Sequence, residues 1–120
     1  MPSMIDRLFD PDCTIKRVFL CGKITGDDDY QAKFFNAAYA LNKAGYAVMN
    51  PAVLPPEGFD HEQYMCVTLA MLSVCDALFY LNDWMDSPGA IEEMEEATRK
   101  GKLGFSFEMW KTEYQRRNKP

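Results

Sequence analysis

A chain of 120 residues, 48% of them hydrophobic and 13% aromatic, suffices for one packed domain, and this composition excludes disorder. The formal charge is -5, and no Lys/Arg cluster precedes Arg116, Arg117 and Lys119, so nucleic acid is excluded as a partner by repulsion of long polyanions. A single phosphate remains admissible, because a helix N-terminus binds one without a basic surface.

The four cysteines, Cys13, Cys21, Cys66 and Cys75, form no C-x-x-C pair, and His61 is the single histidine. The expectation is free thiols in a reducing cytosol, with no metal site and no cofactor. Neither a signal peptide nor an apolar run near about 18 residues is evident, so a cytoplasmic protein without a membrane partner is expected.

Residues 1–16 read as an irregular lead-in, with Asp10-Pro11-Asp12 as turn chemistry, and residues 17–120 as the single domain. The β-branched and aromatic run Arg17–Cys21 predicts the first strand, ending in Gly22-Lys23-Ile24-Thr25-Gly26. The acidic triplet Asp27 to Asp29 suits a helix start, Phe34, Ala38 and Leu41 recur at helical spacing, and Gly45 is placed to stop the helix. Residues 46–49 predict a second strand, closed by Asn50-Pro51 and a proline-rich loop. Met65, Leu69 and Leu72 then share one face of a second helix.

Residues 77–81 are almost continuously apolar, as in a strand covered on both faces. Ser87-Pro88-Gly89 combines an N-cap serine with proline at the first helical position, and the third helix runs to about Lys100. Residues 103–107 predict the last strand. Met109 to Arg117 reads as a terminal helix with no cap in support. The alternation implies right-handed crossovers and an α/β three-layer sandwich around a central, mostly parallel sheet of the Rossmann or flavodoxin kind. Ligands of such sheets sit beyond the carboxyl ends of the strands, which brings loops 22–26, 50–60 and 82–89 together.

Gly22 to Gly26 follows a strand and precedes a helix, so its backbone N–H groups can approach an anion, although a plain strand-to-helix turn reads the same way. On a helical wheel Ala90, Ile91, Met94, Ala97 and Thr98 form one face of the third helix, Glu92 and Glu96 point away, and Glu93 falls on the border. Small neighbours leave room around the Glu93 carboxylate; the alternative is one more solvated acid. Asp76, His61, Tyr64, Asp83, Trp84 and Asp86 are the remaining polar or stacking candidates. Asp76 reads as structural and His61 as a loop or capping residue.

Three segments carry a resemblance: Phe19 to Gly26, Cys75-Asp76-Ala77, and Trp84 with Ser87-Pro88-Gly89-Ala90-Ile91-Glu92-Glu93 and Ala97. On these the chain resembles the nucleoside 2-deoxyribosyltransferase superfamily from Phe19 to Ala97. Within it, the chain is similar to the 2′-deoxynucleoside 5′-phosphate N-hydrolases and the related DUF4406 branch. The resemblance implies an N-glycosidase or deoxyribosyltransferase acting on a nucleoside 5′-monophosphate through a covalent glycosyl-Glu93 intermediate. It implies Ser87 and Gly89 at the 5′-phosphate, Gly22, Lys23, Ile24 and Thr25 around sugar and phosphate, and a homodimer; Asp83 and Trp84 are expected at the ligand as well, Asp83 without a matched family position and Trp84 as a ring able to stack on a base or to pack in the core. Tyr64 and Trp110, read as exposed aromatics, point to the same dimer. The sequence departs from the family at Thr68, where active members carry an acid that assists the leaving base, at Thr25 in place of arginine, and at Phe19 in place of an aromatic hydroxyl. A non-catalytic nucleotide-binding module on the same fold is the competing expectation.

Overall fold

The computed structural model describes residues 3–119. Four strands, β1 (Arg17–Cys21), β2 (Ala47–Met49), β3 (Ala77–Tyr80) and β4 (Leu103–Ser106), alternate with α1 (Tyr30–Lys43), α2 (His61–Ser73), α3 (Pro88–Arg99) and α4 (Phe107–Arg117). The strands form one all-parallel sheet in the order β2-β1-β3-β4. Parallel neighbours require crossovers, so the helices divide between the two faces.

Side-chain alternation decides what each face holds. Val18, Leu20, Ala77 and Phe79 pack with Phe34, Leu41 and Trp110 beneath α1 and α4. Phe19, Cys21 and Leu78 pack with Leu72, Ala90 and Ala97 beneath α2 and α3. Val18, Phe19, Leu20, Leu78 and Phe79 are wholly buried, as a central strand pair covered on both sides must be. The molecule is therefore the α/β three-layer sandwich that the element order implies.

The differences from expectation lie at the ends. The lead-in carries a 3-10 helix, Met4–Phe9, whose Leu8 is buried in the α1/α4 layer. The acidic triplet precedes α1 instead of forming its first turn. Asp27 accepts a hydrogen bond from the Asp29 N–H at 2.9 Å, and the helix opens at Tyr30. The α4 helix does have a cap, because the last strand residue, Ser106, accepts from the Met109 N–H at 3.2 Å. Trp110 is 1% exposed, so it builds core and offers no surface to a second subunit. Among the described residues no helix is long and apolar enough to cross a membrane.

Candidate functional site

In a parallel sheet every strand delivers its following loop to the same edge. At that edge a cavity of about 580 Å³ is walled by Gly22, Ile24 and Thr25 after β1, by residues 54–59 after β2, and by Ser87 to Ala90 at the start of α3. The α2 side adds His61, Tyr64, Met65 and Thr68, and Glu93 closes it from α3. Gly22 is required sterically: a Cβ there would lie 2.9 Å from Leu81 Cδ1 and 3.1 Å from Leu81 Cβ, so the backbone passes where no side chain fits.

The α3 start is built as its residue types demand. Ser87 Oγ accepts the Ala90 N–H at 3.2 Å, and the Ile91 N–H reaches the Ser87 carbonyl at 3.0 Å. Pro88 has no N–H to leave unpaired. Among the described residues the Gly89 N–H is then the donor of the first turn left without a partner, at the positive end of the helix dipole. A Cβ on Gly89 would stand 3.8 Å from His61 Cε1 and 4.0 Å from Ser87 Oγ, so these three residues share one corner of the cavity.

One turn further along α3 is Glu93, only 6% exposed. The buried stripe of α3 is Ala90, Glu93 and Ala97, which puts Glu93 in its middle and not on its border. Gly89, Ala90 and Ala97 are small enough to let α3 settle close to α2 and the sheet, and the carboxyl goes in with them. Ile91, Met94 and Thr98 turn instead toward Trp84, with which they line a separate shallow groove. Burial pushes the Glu93 carboxyl up to about 7; the Thr68 hydroxyl and the Cys21 thiol beside it pull the other way, and neighbouring Glu92 adds to the rise. Thr68 is itself buried at 6% exposure, and its hydroxyl donates to the Met65 carbonyl at 3.5 Å. The Cys21 thiol is raised strongly by the same burial and stays protonated, donating to the Ala90 carbonyl at 3.3 Å.

Three of the residues expected around a ligand lie outside the cavity wall: Lys23, Asp83 and Trp84. Asp83 holds the loop from behind. Its Oδ1 accepts the Lys23 N–H at 3.0 Å, and its other oxygen pairs with the Lys33 ammonium, which also bonds Asp27 and, at 3.0 Å, the Lys23 carbonyl. Lys33 thus ties the 22–27 loop to α1 and to the turn after β3. No sequence spacing signals it, because Lys33 and Asp83 are 50 residues apart. Trp84 packs against Tyr80 with the rings tilted by 59° and their centres 5.8 Å apart. Asp76 sits at the start of β3, away from the cavity, where it accepts the Lys16 and Arg17 N–H groups at 2.9 Å each. These bonds and the Arg17 guanidinium hold its carboxyl down at about 2.

Loop 50–60, expected at this edge, forms a strap over the cavity, although sequence reasoning singled out none of its residues. Pro55, Pro56 and Phe59 line it, and the Tyr64 hydroxyl donates to the Pro55 carbonyl at 2.6 Å while its ring meets Phe59 edge-on at 5.8 Å. Proline content announces a loop but not the pocket it roofs. His61 is the first residue of α2, capped by Asp60, and its Nε2 lies 3.0 Å from Glu92 Oε1. Among the described residues, no three His, Cys, Asp or Glu side chains gather as metal ligands.

The cavity can bring an apolar or aromatic body against Tyr30, Leu54, Phe59 and Tyr64, a carboxyl of shifted pKa, and an anion at a helix N-terminus into one volume. No curated protein matches the chain. Residues 16–103, a stretch that spans every cavity residue, match a family described as a domain of unknown function, and the chain belongs to that family, DUF4406.

Proposed function

We propose that the cavity takes a nucleoside 5′-monophosphate and that Glu93 cleaves its N-glycosidic bond, as in the nucleoside 2-deoxyribosyltransferases and nucleotide N-hydrolases the sequence resembles. The observation that carries this reading is the buried Glu93 carboxyl, facing the same cavity as Ser87 and the unpaired Gly89 N–H one turn away. In this scheme the phosphate meets Ser87 and Gly89. The backbone of Gly22, Ile24 and Thr25 borders the sugar, and the base lies under the strap of Pro55, Pro56 and Phe59.

The Glu93 carboxylate attacks C1′ through an oxocarbenium-like transition state. The C1′–N bond breaks, its electron pair leaves on the base nitrogen, and that nitrogen takes a proton from solvent. Water, or a second base in a transfer reaction, then attacks C1′ of the ester and returns the carboxylate. Lys23 and Asp83 serve the scheme by fixing the loop backbone, and Trp84 has no part in it. Incubating the protein with the common ribo- and deoxyribonucleoside 5′-monophosphates and measuring released base tests the proposal; release from none of them removes it.

A second reading is favoured by one residue. Thr68, buried in the wall at the position where the resembled enzymes carry an acid, has a hydroxyl whose pKa is far too high to protonate a leaving base. A protein that binds monophosphates without ever releasing base is a nucleotide-binding module on the same fold. Either reading goes with a cytoplasmic homodimer, supported by the exposed Phe35 and Tyr39 of α1 and Met109 of α4. Light scattering that finds only monomer at high concentration counts against the dimer.

A further inference from the structure

The cavity wall contains two acids, Glu57 and Glu93, and neither lysine nor arginine. A phosphate dianion placed there needs a compensating charge beyond one helix N-terminus, and Lys23, the cation nearest in sequence, is outside the wall. His61 is the one wall residue able to become cationic. It stands at the first position of α2, its Cε1 shares a corner with Gly89 and Ser87, and its Nε2 is engaged by Glu92 Oε1 at 3.0 Å. That contact engages Nε2, on a ring about half exposed, and leaves Nδ1 without a partner among the described residues. A histidine so held, with one nitrogen occupied by a carboxylate, presents the other to a ligand.

We infer that His61, oriented by Glu92, is a phosphate-binding residue and determines the preference for phosphorylated over unphosphorylated ligands. This rests on the function proposed above. His61 attends the Gly89 end of the cavity, one turn of α3 before Glu93. A ring that served instead as proton donor to the leaving base would leave monophosphate affinity intact when removed. The imidazolium donates from Nε2 to Glu92 and from Nδ1 to a phosphate oxygen. Glu93, Glu57, Tyr30 and Tyr64 in the wall and Glu92 beside His61 are the other titratable groups around this ligand.

The test is calorimetric binding of nucleoside 5′-monophosphates, the matching nucleosides and inorganic phosphate to the parent, His61→Phe and His61→Arg. The phenylalanine keeps a ring beside Gly89 but removes both nitrogens. Expected is a loss of about ten- to a hundredfold in monophosphate affinity for His61→Phe, in line with the worth of a charged hydrogen bond, with nucleoside affinity unchanged and recovery in His61→Arg. Inorganic phosphate binding that falls in parallel marks the phosphate itself as the group recognised. Unchanged monophosphate affinity in His61→Phe, or an equal loss for the nucleoside, overturns the assignment while leaving the cavity's function standing. A parent that binds no monophosphate at all overturns both. Thermal melting of each variant separates loss of contact from loss of fold, and a variant that melts early is replaced by His61→Gln under the same criteria.

Discussion

Replacing Glu93 by glutamine removes the ionisation and keeps the shape, so the pH dependence of stability isolates what burying this carboxyl costs. Its pKa rises from an ordinary 4.5 in the unfolded chain to about 7 in the fold. A group shifted upward is held more tightly as the acid in the folded state. Its cost to folding is absent below the unfolded value, grows as pH rises between the two values, and is complete above the folded one. At about 1.4 kcal/mol per pH unit between those values, the full cost is about 3 kcal/mol. Glu93→Gln should therefore match the parent near about pH 4, gain steadily through neutrality, and exceed it by about 3 kcal/mol at about pH 8 and above. Urea unfolding of both proteins across this range gives the difference directly, and every other titrating group cancels in it. A difference that does not change with pH would show that the carboxyl is not held in a costly environment, and the argument for a poised Glu93 would fall with it. The same variant should bind monophosphates at least as well as the parent, through loss of a repulsion, and release no base.

If Glu93 attacks as the carboxylate, base release at saturating substrate should climb as pH rises through about 7 and then level off; a flat profile over that range argues against this residue as nucleophile. Ser87→Ala should lower stability by about 0.5–2 kcal/mol through the lost cap on α3 and weaken monophosphate binding as well, both measurable on one preparation. Gly22→Ala forces a methyl against Leu81 at 2.9 Å and should cost about 1–3 kcal/mol in denaturant midpoint; a neutral result would mean that Leu81 yields freely. Asp76→Asn should lower stability at neutral pH by about 1–2 kcal/mol, an effect lost as pH falls from 3.8 toward about 2, and should leave ligand binding untouched because Asp76 is remote from the cavity.

The sheet and the helices were legible because they depend on local rules. The continuous apolar run of β3, the 3.6 spacing of Phe34, Ala38 and Leu41 in α1, and the Ser87-Pro88 start of α3 each act within a few residues, and the structure keeps all of them. That element order, with the preference for right-handed crossovers, already implies the sandwich and the edge at which the cavity opens. Trp110 and Glu93 show where local rules end. The helical wheel gives the angle of each side chain but not what the helix packs against, and only the closed structure buries Trp110 under the sheet and centres Glu93 on the inner stripe of α3. The same holds for Lys33, which joins Asp27 to Asp83 across the loop, and for His61, which meets Glu92 from another helix. Charge pairs between elements depend on distances set when helices dock on the sheet, and residue order along the chain carries no term for those distances. The sequence alone therefore determined the strands, the start of α3 and the sheet edge at which the cavity opens. Tertiary packing decided which acid is buried, which cation braces the loop and which histidine meets Glu92 beside Gly89 and Ser87.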